Sequence, residues 1–392
     1  MKNTSQEEAV PGLLRRLNVR RVLDTLHELG PSTRAQLTRR TRISPPTMSK
    51  LMSQLVRAGL VEQDATPVVT RGRPGVLFRL AARNVQVVAV VLDVHRCTVT
   101  SAGLDGNLAN GRSFSFPTPD RFERLTEALV KHVRELIAEN GVPCIGLGLT
   151  VPGLIDRQRG EVVFSPNMHF LDGKNPGRVL SERLGMEVVT LQEEHALCLG
   201  ERMFGKAKGL SDFAVLDITE GLGMGAFTGG RFLTGARGFG GEIGHITVEP
   251  KGRLCGCGNR GCLETIATDT ALALAFSEQF GRPLDIDTVI RMARVGELKP
   301  GEILERAIDF LAIGVAAVIN ILNPEAVLIY GRMFDLQDGL LARLEEKVKQ
   351  RALKPSVEGC RIVRTEANKH LGAIAAVIEH VYNRMGPRMN AP

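Results

Sequence analysis

Apolar residues recur at mostly helical spacing between Pro11 and Gly30, at Leu13, Leu14, Leu17, Val22, Leu23, Leu26 and Leu29, and predict an amphipathic helix closed by a glycine. A second helix is expected directly after it, capped by Ser32 or Thr33 and turning Ala35 and Leu37 inward. The chain then turns through Arg42 and Ile43. Ser44 offers an N-cap hydroxyl with Pro45 at the first helical position, opening a third helix through Thr47, Met48, Leu51, Met52, Leu55 and Val56 to Gly59. Leu60, Val61 and Glu62 read as a short strand and residues 76–80 (VLFRL) as its return. From Val85 the texture changes. VQVVAVVLDV (85–94) predicts a buried strand, TVTSAGL its hairpin partner, residues 122–140 an amphipathic helix, and CIGLGLTVPGLID a further strand ending in a glycine-rich turn. With FAVLDIT and AVLIYG repeating the strand theme, the order argues an α/β domain of two related halves.

Two short helices joined by a tight turn and followed by a hairpin form the winged helix-turn-helix pattern, whose second helix enters the major groove by its N-terminal turn. Ser44, Pro46, Thr47, Ser49, Lys50 and Gln54 are the expected DNA-facing residues of that turn. In the wing, Arg71 and Arg73 flank Gly72, and Pro74 holds the chain extended: a thin cationic tip suited to a narrow minor groove. Charge supports this reading more than the net +7 does. Residues 1–83 hold 15 Lys and Arg against six Asp and Glu, a net +9, whereas residues 84–392 hold 35 against 37, a net −2. The basic charge is thus confined to one module, as expected if that module alone meets phosphate backbones.

A chain of 392 residues, 43% hydrophobic and 24% charged, has ordinary globular composition and room for two or three domains. The opening MKNTSQEEAV lacks a signal-peptide core, and no run approaches the roughly 18 apolar residues of a membrane span, so the expectation is a cytoplasmic protein with no membrane partner. Seven cysteines make a poor disulfide framework, and three of them crowd into eight residues. Cys255, Cys257 and Cys262 with His245 supply the thiolate and imidazole ligands that tetrahedral zinc prefers, while Gly256, Gly258 and Gly261 let the backbone curl around an ion. Four protein ligands leave no open position, so the zinc is expected to be structural. Cys97, Cys144, Cys198 and Cys360 read as core residues.

GGEIGHITVEP (240–250), CGCGNRGCLETIAT (255–268), VPGLID (151–156) and NPEAVLIYG (323–331) together resemble signatures of the ROK family, which contains bacterial sugar kinases and xylose- or N-acetylglucosamine-responsive repressors. The resemblance runs from residue 13 to about 385. It implies a two-lobed actin-like, hexokinase-type fold for residues 84–392 behind the DNA-binding module at 1–83. Lobe one would take about 84–205 plus the C-terminal helix, and lobe two about 206–370 with the zinc loop. A sugar would sit between the lobes, with ATP beside it in the kinases.

Matched residue by residue, the resemblance puts Gln192 and Glu193 where the kinases carry Asn-Asp, leaving Glu193 as a degenerate catalytic base. The first phosphate loop, Asp-x-Gly-Gly-Thr in kinases, reads Asp93, Val94, His95, Arg96, Cys97. Side chains there block close backbone approach to phosphate. A Gly-Thr-Gly pattern in the second loop becomes Thr219, Glu220, Gly221, setting a carboxylate against phosphate oxygens. The expectation is no phosphotransfer and no ATP. The sugar-side positions are better kept: Gly153, Asn167, Gln192, Glu193, Glu242, His245 and Glu264. Function is accordingly expected to be transcriptional regulation, as a repressor of carbohydrate genes that binds operator DNA as a homodimer or homotetramer and senses a sugar or sugar derivative. An active sugar kinase with a DNA-binding extension, and a platform docking a sugar-transport protein, stand as alternatives.

Overall fold

The computed structural model describes residues 9–68, 75–108 and 112–385. They fall into two compact units: Met1–Val151, Asn175–Leu191 and Ala373–Pro392 contribute to the first, Pro152–Lys174 and Gln192–Gly372 to the second.

The first unit opens with α1 (Ala9–Leu29), β1 (Ser32–Thr33), α2 (Arg34–Thr41), α3 (Pro45–Arg57), β2 (Val61–Val68) and β3 (Gly75–Leu80). Val22, Leu23 and Leu26 of α1, Leu37 of α2 and Met48, Leu51, Met52 and Leu55 of α3 are buried. Gly30, at φ +69, closes α1 as its position in the sequence predicts. Thr33 caps α2 in a full capping box: its hydroxyl accepts from the Gln36 amide, and Gln36 reaches back to the Thr33 amide. Two expectations are corrected. Ala35 is exposed, because the short α2 turns only Leu37 and Thr41 into the core. Ser44 sits at the N-cap of α3, but its hydroxyl donates to Thr47 Oγ1 at 2.8 Å instead of accepting from the backbone. β2 and β3 pair antiparallel from Val61↔Leu80 to Val68↔Gly75, with β1 on the other edge of β3. β2 is longer than the three residues expected.

Behind this module, in the same unit, a five-stranded sheet runs in the order β10-β7-β4-β5-β6. Its members are β4 (Gln86–Val91), β5 (Arg96–Ala102), β6 (Ser113–Pro117), β7 (Cys144–Val151) and β10 (Val188–Gln192). β4 is buried throughout and pairs parallel with β7. Helices α4 (Phe122–Asn140) and α5 (Pro176–Leu184) complete the layer.

The second unit contains a small hairpin, β8 (Leu154–Asp156) with β9 (Glu161–Phe164), and helix α6 (Glu193–Met203). Its sheet has the order β13-β12-β11-β14-β15, from β11 (Phe213–Asp217), β12 (Gly223–Thr228), β13 (Arg231–Phe232), β14 (Ala326–Tyr330) and β15 (Arg361–Arg364). In both sheets three antiparallel strands follow one another and a later strand pairs parallel with the first of them. That is the internal repetition expected of two related halves. Helices α7 (Asp269–Phe280), α8 (Ile286–Arg294), α9 (Gly301–Leu322), α10 (Leu340–Lys349) and α11 (Lys354–Glu358) surround the sheet, with Leu311, Val315 and Ile319 of α9 in its largest core. The last helix, α12 (Lys369–Met385), has its first turn in the second unit and the rest in the first. No helix among the described residues is long and apolar enough to cross a membrane.

Candidate functional site

At the start of α3, Ser44, Pro46, Thr47, Ser49 and Lys50 are all exposed, because Met48, Leu51 and Met52 take the inward positions at helical spacing. Gln54 is half-buried and accepts from Arg15 at 3.0 Å. Arg71, Gly72 and Arg73 lie outside the described residues. α1 is anchored on α12 within the first unit. Arg20 pairs with Glu379 and Asp24, and His27 Nε2 meets the hydroxyl of the buried Tyr382 at 3.0 Å. Burial pushes Tyr382 far above the ordinary phenol range.

In the second unit, the ligand atoms of His245, Cys255, Cys257 and Cys262 all lie within 4.8 Å of one another. Cys255 Sγ is 3.6 Å from His245 Nδ1, and Cys257 Sγ is 3.8 Å from Cys262 Sγ. Tetrahedral zinc, with bonds of about 2.3 Å to sulfur and about 2.0 Å to nitrogen, would space S and N about 3.5 Å and two sulfurs about 3.8 Å apart. The donor set fits a tetrahedral ion. The loop holds this shape through its backbone. Gly258 donates to Cys255 O, Cys255 to Asn259 O, and Leu263 to Ile246 O, which ties the cysteines to the strand-like segment after His245. A Cβ on Gly261, at φ +66, would lie 1.5 Å from Glu249 O, so no other residue fits. Cys97 and Cys198 are buried as expected of core residues, while Cys144 and Cys360 are only partly so.

His245 faces the metal position with Nδ1 and Glu242 Oε2 with Nε2, at 3.6 Å. Such a carboxylate fixes the ring and its tautomer when the other nitrogen binds an ion. Burial raises the Glu242 pKa, the more so because Glu264 is near, with His245 acting against it. Glu264 Oε2 accepts from the Leu222 amide at 3.0 Å, so one of its oxygens holds the loop after Gly221. Gly241, at φ +112, lets this segment pack on β12: its Cβ would fall 1.9 Å from Met224 O. Gly153 abuts the end of β9, where a Cβ would strike Phe164 O at 2.4 Å. Asn167 is exposed on the next turn, beside Pro166, which packs on Gly256 of the cysteine loop.

Gln192 is buried at the N-cap of α6 and donates to Glu194 Oε1 at 2.9 Å. Glu193 points to a residue the sequence reading missed. Lys369 Nζ is 2.7 Å from Glu193 Oε1 and 2.9 Å from Asp217 Oδ2, and it also donates to Thr219 Oγ1 at 3.4 Å. Burial works to lower the Lys369 pKa, but Asp217 and Glu193 outweigh it, so the ammonium stays charged. Thr219 donates its hydroxyl to Asp217 Oδ1, and Glu220 accepts from Thr270 Oγ1. In the other phosphate-loop position, in the first unit, Asp93 Oδ1 takes the His95 amide at 3.0 Å, so that donor is already occupied.

Glu194, His195, Asp217 and Lys369 escaped the sequence reading. Glu194 and His195 follow the base position directly, and two consecutive ionisable residues entering an apolar helix were a usable signal. Lys369 carried none, being 176 residues from Glu193.

Residues 87–379 match the family model described as the ROK family, and residues 13–72 the one described as the MarR family. The chain belongs to the ROK family. The DNA-binding transcriptional dual regulator NagC of Escherichia coli is 30% identical over 379 residues, covering 93% of this chain and 92% of that protein. The xylose repressor of Bacillus subtilis is 24% identical over 372 residues, covering 94% and 96%. Among solved structures, a ROK family transcriptional regulator described as a homologue of the E. coli MLC protein superposes with a TM-score of 0.77 at 24% identity, over 95% of this chain and 98% of that one. A ROK hexokinase from Thermus thermophilus matches 77% of this chain and all of its own, at TM-score 0.63 and 30% identity. The fold is therefore a winged helix-turn-helix followed by the actin-like ROK fold, and the repressor-type relatives span both parts.

Proposed function

We propose that the chain is a sequence-specific transcriptional regulator, a repressor of carbohydrate genes, in which residues 1–83 read operator DNA and residues 84–392 sense a sugar without phosphorylating it. The observation that carries this reading is the 30% identity to a DNA-binding regulator across nearly the whole of both chains, reader and sensor together. Ser44, Pro46, Thr47, Ser49, Lys50 and Gln54 would meet the major groove, and Arg71, Gly72 and Arg73 the minor groove. A homodimer or homotetramer would present paired recognition helices to a palindromic site.

Phosphoryl transfer needs a free carboxylate to accept the sugar proton and amides open to phosphate. Here Glu193 is neutralised by Lys369, and Asp217, Glu220 and Glu264 crowd the second phosphate-loop position. Those facts support a sensor over the kinase alternative. Gly153, Asn167, Gln192, Glu193, Glu242, His245 and Glu264 would form the sugar site. Zinc, held by His245, Cys255, Cys257 and Cys262, would be structural, bracing the segment that carries Glu242.

The test is selection of duplexes from a random pool by the zinc-loaded protein, followed by competition at physiological salt. Enrichment of one palindromic sequence, with no ADP released from ATP and a panel of hexoses, is the expected result. Equal binding to all duplexes would overturn the DNA-reading role, and hexose-dependent ADP release lost in Glu193→Ala would overturn the sensor reading.

A further inference from the structure

The carboxylates around the proposed sugar site outnumber its cations, and the surplus is greatest beside α6. Glu193, Asp217, Glu242 and Glu264 gather there with Glu194. Lys369 is spent on Glu193 and Asp217, and a zinc ion with three thiolates would itself carry a net negative charge. Glu194 keeps 14% of its side chain exposed and accepts from neutral donors, the Gln192 side-chain amide and its own backbone amide. A Cβ on Gly223 would lie 3.4 Å from the Glu194 carboxyl, so a side chain there would press on it.

The second observation is independent of the acidic cluster. His195 is 92% buried, from its 8% exposure, and its Nε2 has no hydrogen-bond partner, although a buried ring nitrogen normally has one. That nitrogen lies 4.0 Å from Glu194 Oε1, too far for a bond and near enough for one small group to touch both. The ring packs perpendicular to Phe232, with centroids 4.5 Å apart.

We propose that Glu194 and His195 form an amine subsite, so that the sensed ligand is an amino sugar with a free ammonium group. This deepens the proposed sensor function and rests on it. An ammonium carries three donors and a positive charge. It would give one hydrogen bond to Glu194, one to the neutral His195 Nε2 and keep a third for a neighbouring oxygen. A hydroxyl has a single donor and no charge to set against the carboxylates, an acetamide is neutral and bulkier, and a phosphate would meet Glu193, Asp217 and Glu220. Protonation states agree. Burial, with Glu242, Glu193 and Asp217 adding to it, pushes Glu194 up to about 8. Burial, with Arg157 adding to it, pulls His195 down to about 3. Near neutral pH the unliganded Glu194 thus holds a proton, which a bound ammonium would displace into solvent.

The experiment is calorimetry on the zinc-loaded full-length protein with glucosamine, glucose, N-acetylglucosamine and glucosamine 6-phosphate, in two buffers of different ionisation enthalpy. Glucosamine is expected to bind at least about tenfold tighter than glucose, the scale of one charge-assisted hydrogen bond, and to release close to one proton. In Glu194→Gln, whose amide oxygen can still accept from Gln192, the preference is expected to collapse to about one and the proton release to vanish, with zinc content and Tm confirming an intact fold. Glucose binding as tightly as glucosamine, or glucosamine binding without proton release, overturns the amine subsite and leaves the sensor standing. If none of the four sugars binds, the sensor reading fails and the subsite with it.

Discussion

The cysteine loop and the Lys369 cluster are both places where polar side chains converge in the second unit, and they are built on opposite principles. In the loop, the ligand atoms of four residues drawn from eighteen of sequence lie within 4.8 Å of one another. In the cluster, a lysine from the first turn of α12 supplies the cation itself, and Glu193 and Asp217 close upon it. One arrangement has the donor set of a tetrahedral ion site. The other sets one cation against two carboxylates, so both are ion-paired and one negative charge remains. The contrast is between a site whose side chains surround an ion position and one in which a lysine of the chain itself meets the carboxylates.

Breaking the first of these should have the larger effect. Cys257→Ser is expected to abolish stoichiometric zinc and to lower Tm by on the order of 10 °C, because a structural metal contributes folding free energy directly. Metal analysis with a melting curve checks it, and full stability with no metal would contradict it.

Lys369→Met strands the buried Asp217 and the half-buried Glu193 and should destabilise by about 3–5 kcal/mol in urea unfolding. Adding Glu193→Gln and Asp217→Asn should restore most of that loss. If Lys369→Met alone is neutral, the cluster is not the closed ion group described above.

The third prediction concerns pH. Glu194 has its folded pKa raised from 4.5 to about 8, so the stability it contributes is fully present below 4.5 and is lost as pH rises through about 8. Glu194→Gln does not titrate. Its Tm should match that of the parent at about pH 5 and exceed it at about pH 9. A constant difference across that range would contradict the assignment. The smallest effect is expected away from both clusters, where Thr33→Ala removes the capping box of α2 at a cost of about 1 kcal/mol.

How far the sequence reached follows from the range of each interaction. Helices α1 to α3, the strand beginning at Gln86 and the helix Phe122–Asn140 were legible because their patterns repeat within one element. The metal loop was legible because its ligands and the glycines that shape it are neighbours. Ala35 was misjudged because α2, at eight residues, buries too narrow a face to take in its second residue. Ser44 was placed correctly as a cap, but its hydroxyl found Thr47 three residues on, a competition that position alone does not decide. The Lys369 cluster could not be read, since its partners meet only through the pairing of β11 with β14 and the docking of α12. Glu201, buried and accepting from the Glu366 and Ala367 amides, fixes that approach, and nothing near it in sequence announces the role.

The central claim is that a ligand in a non-catalytic ROK domain alters DNA reading, and one titration tests it most directly. Fluorescence anisotropy of the selected duplex is measured with zinc-loaded protein, without ATP, in the absence and presence of saturating sugar. The account predicts a change in operator Kd of at least about fivefold, the lower end of ordinary coupling free energies, with no comparable change on random duplex. An operator Kd unmoved by a sugar that calorimetry shows to be bound would contradict it.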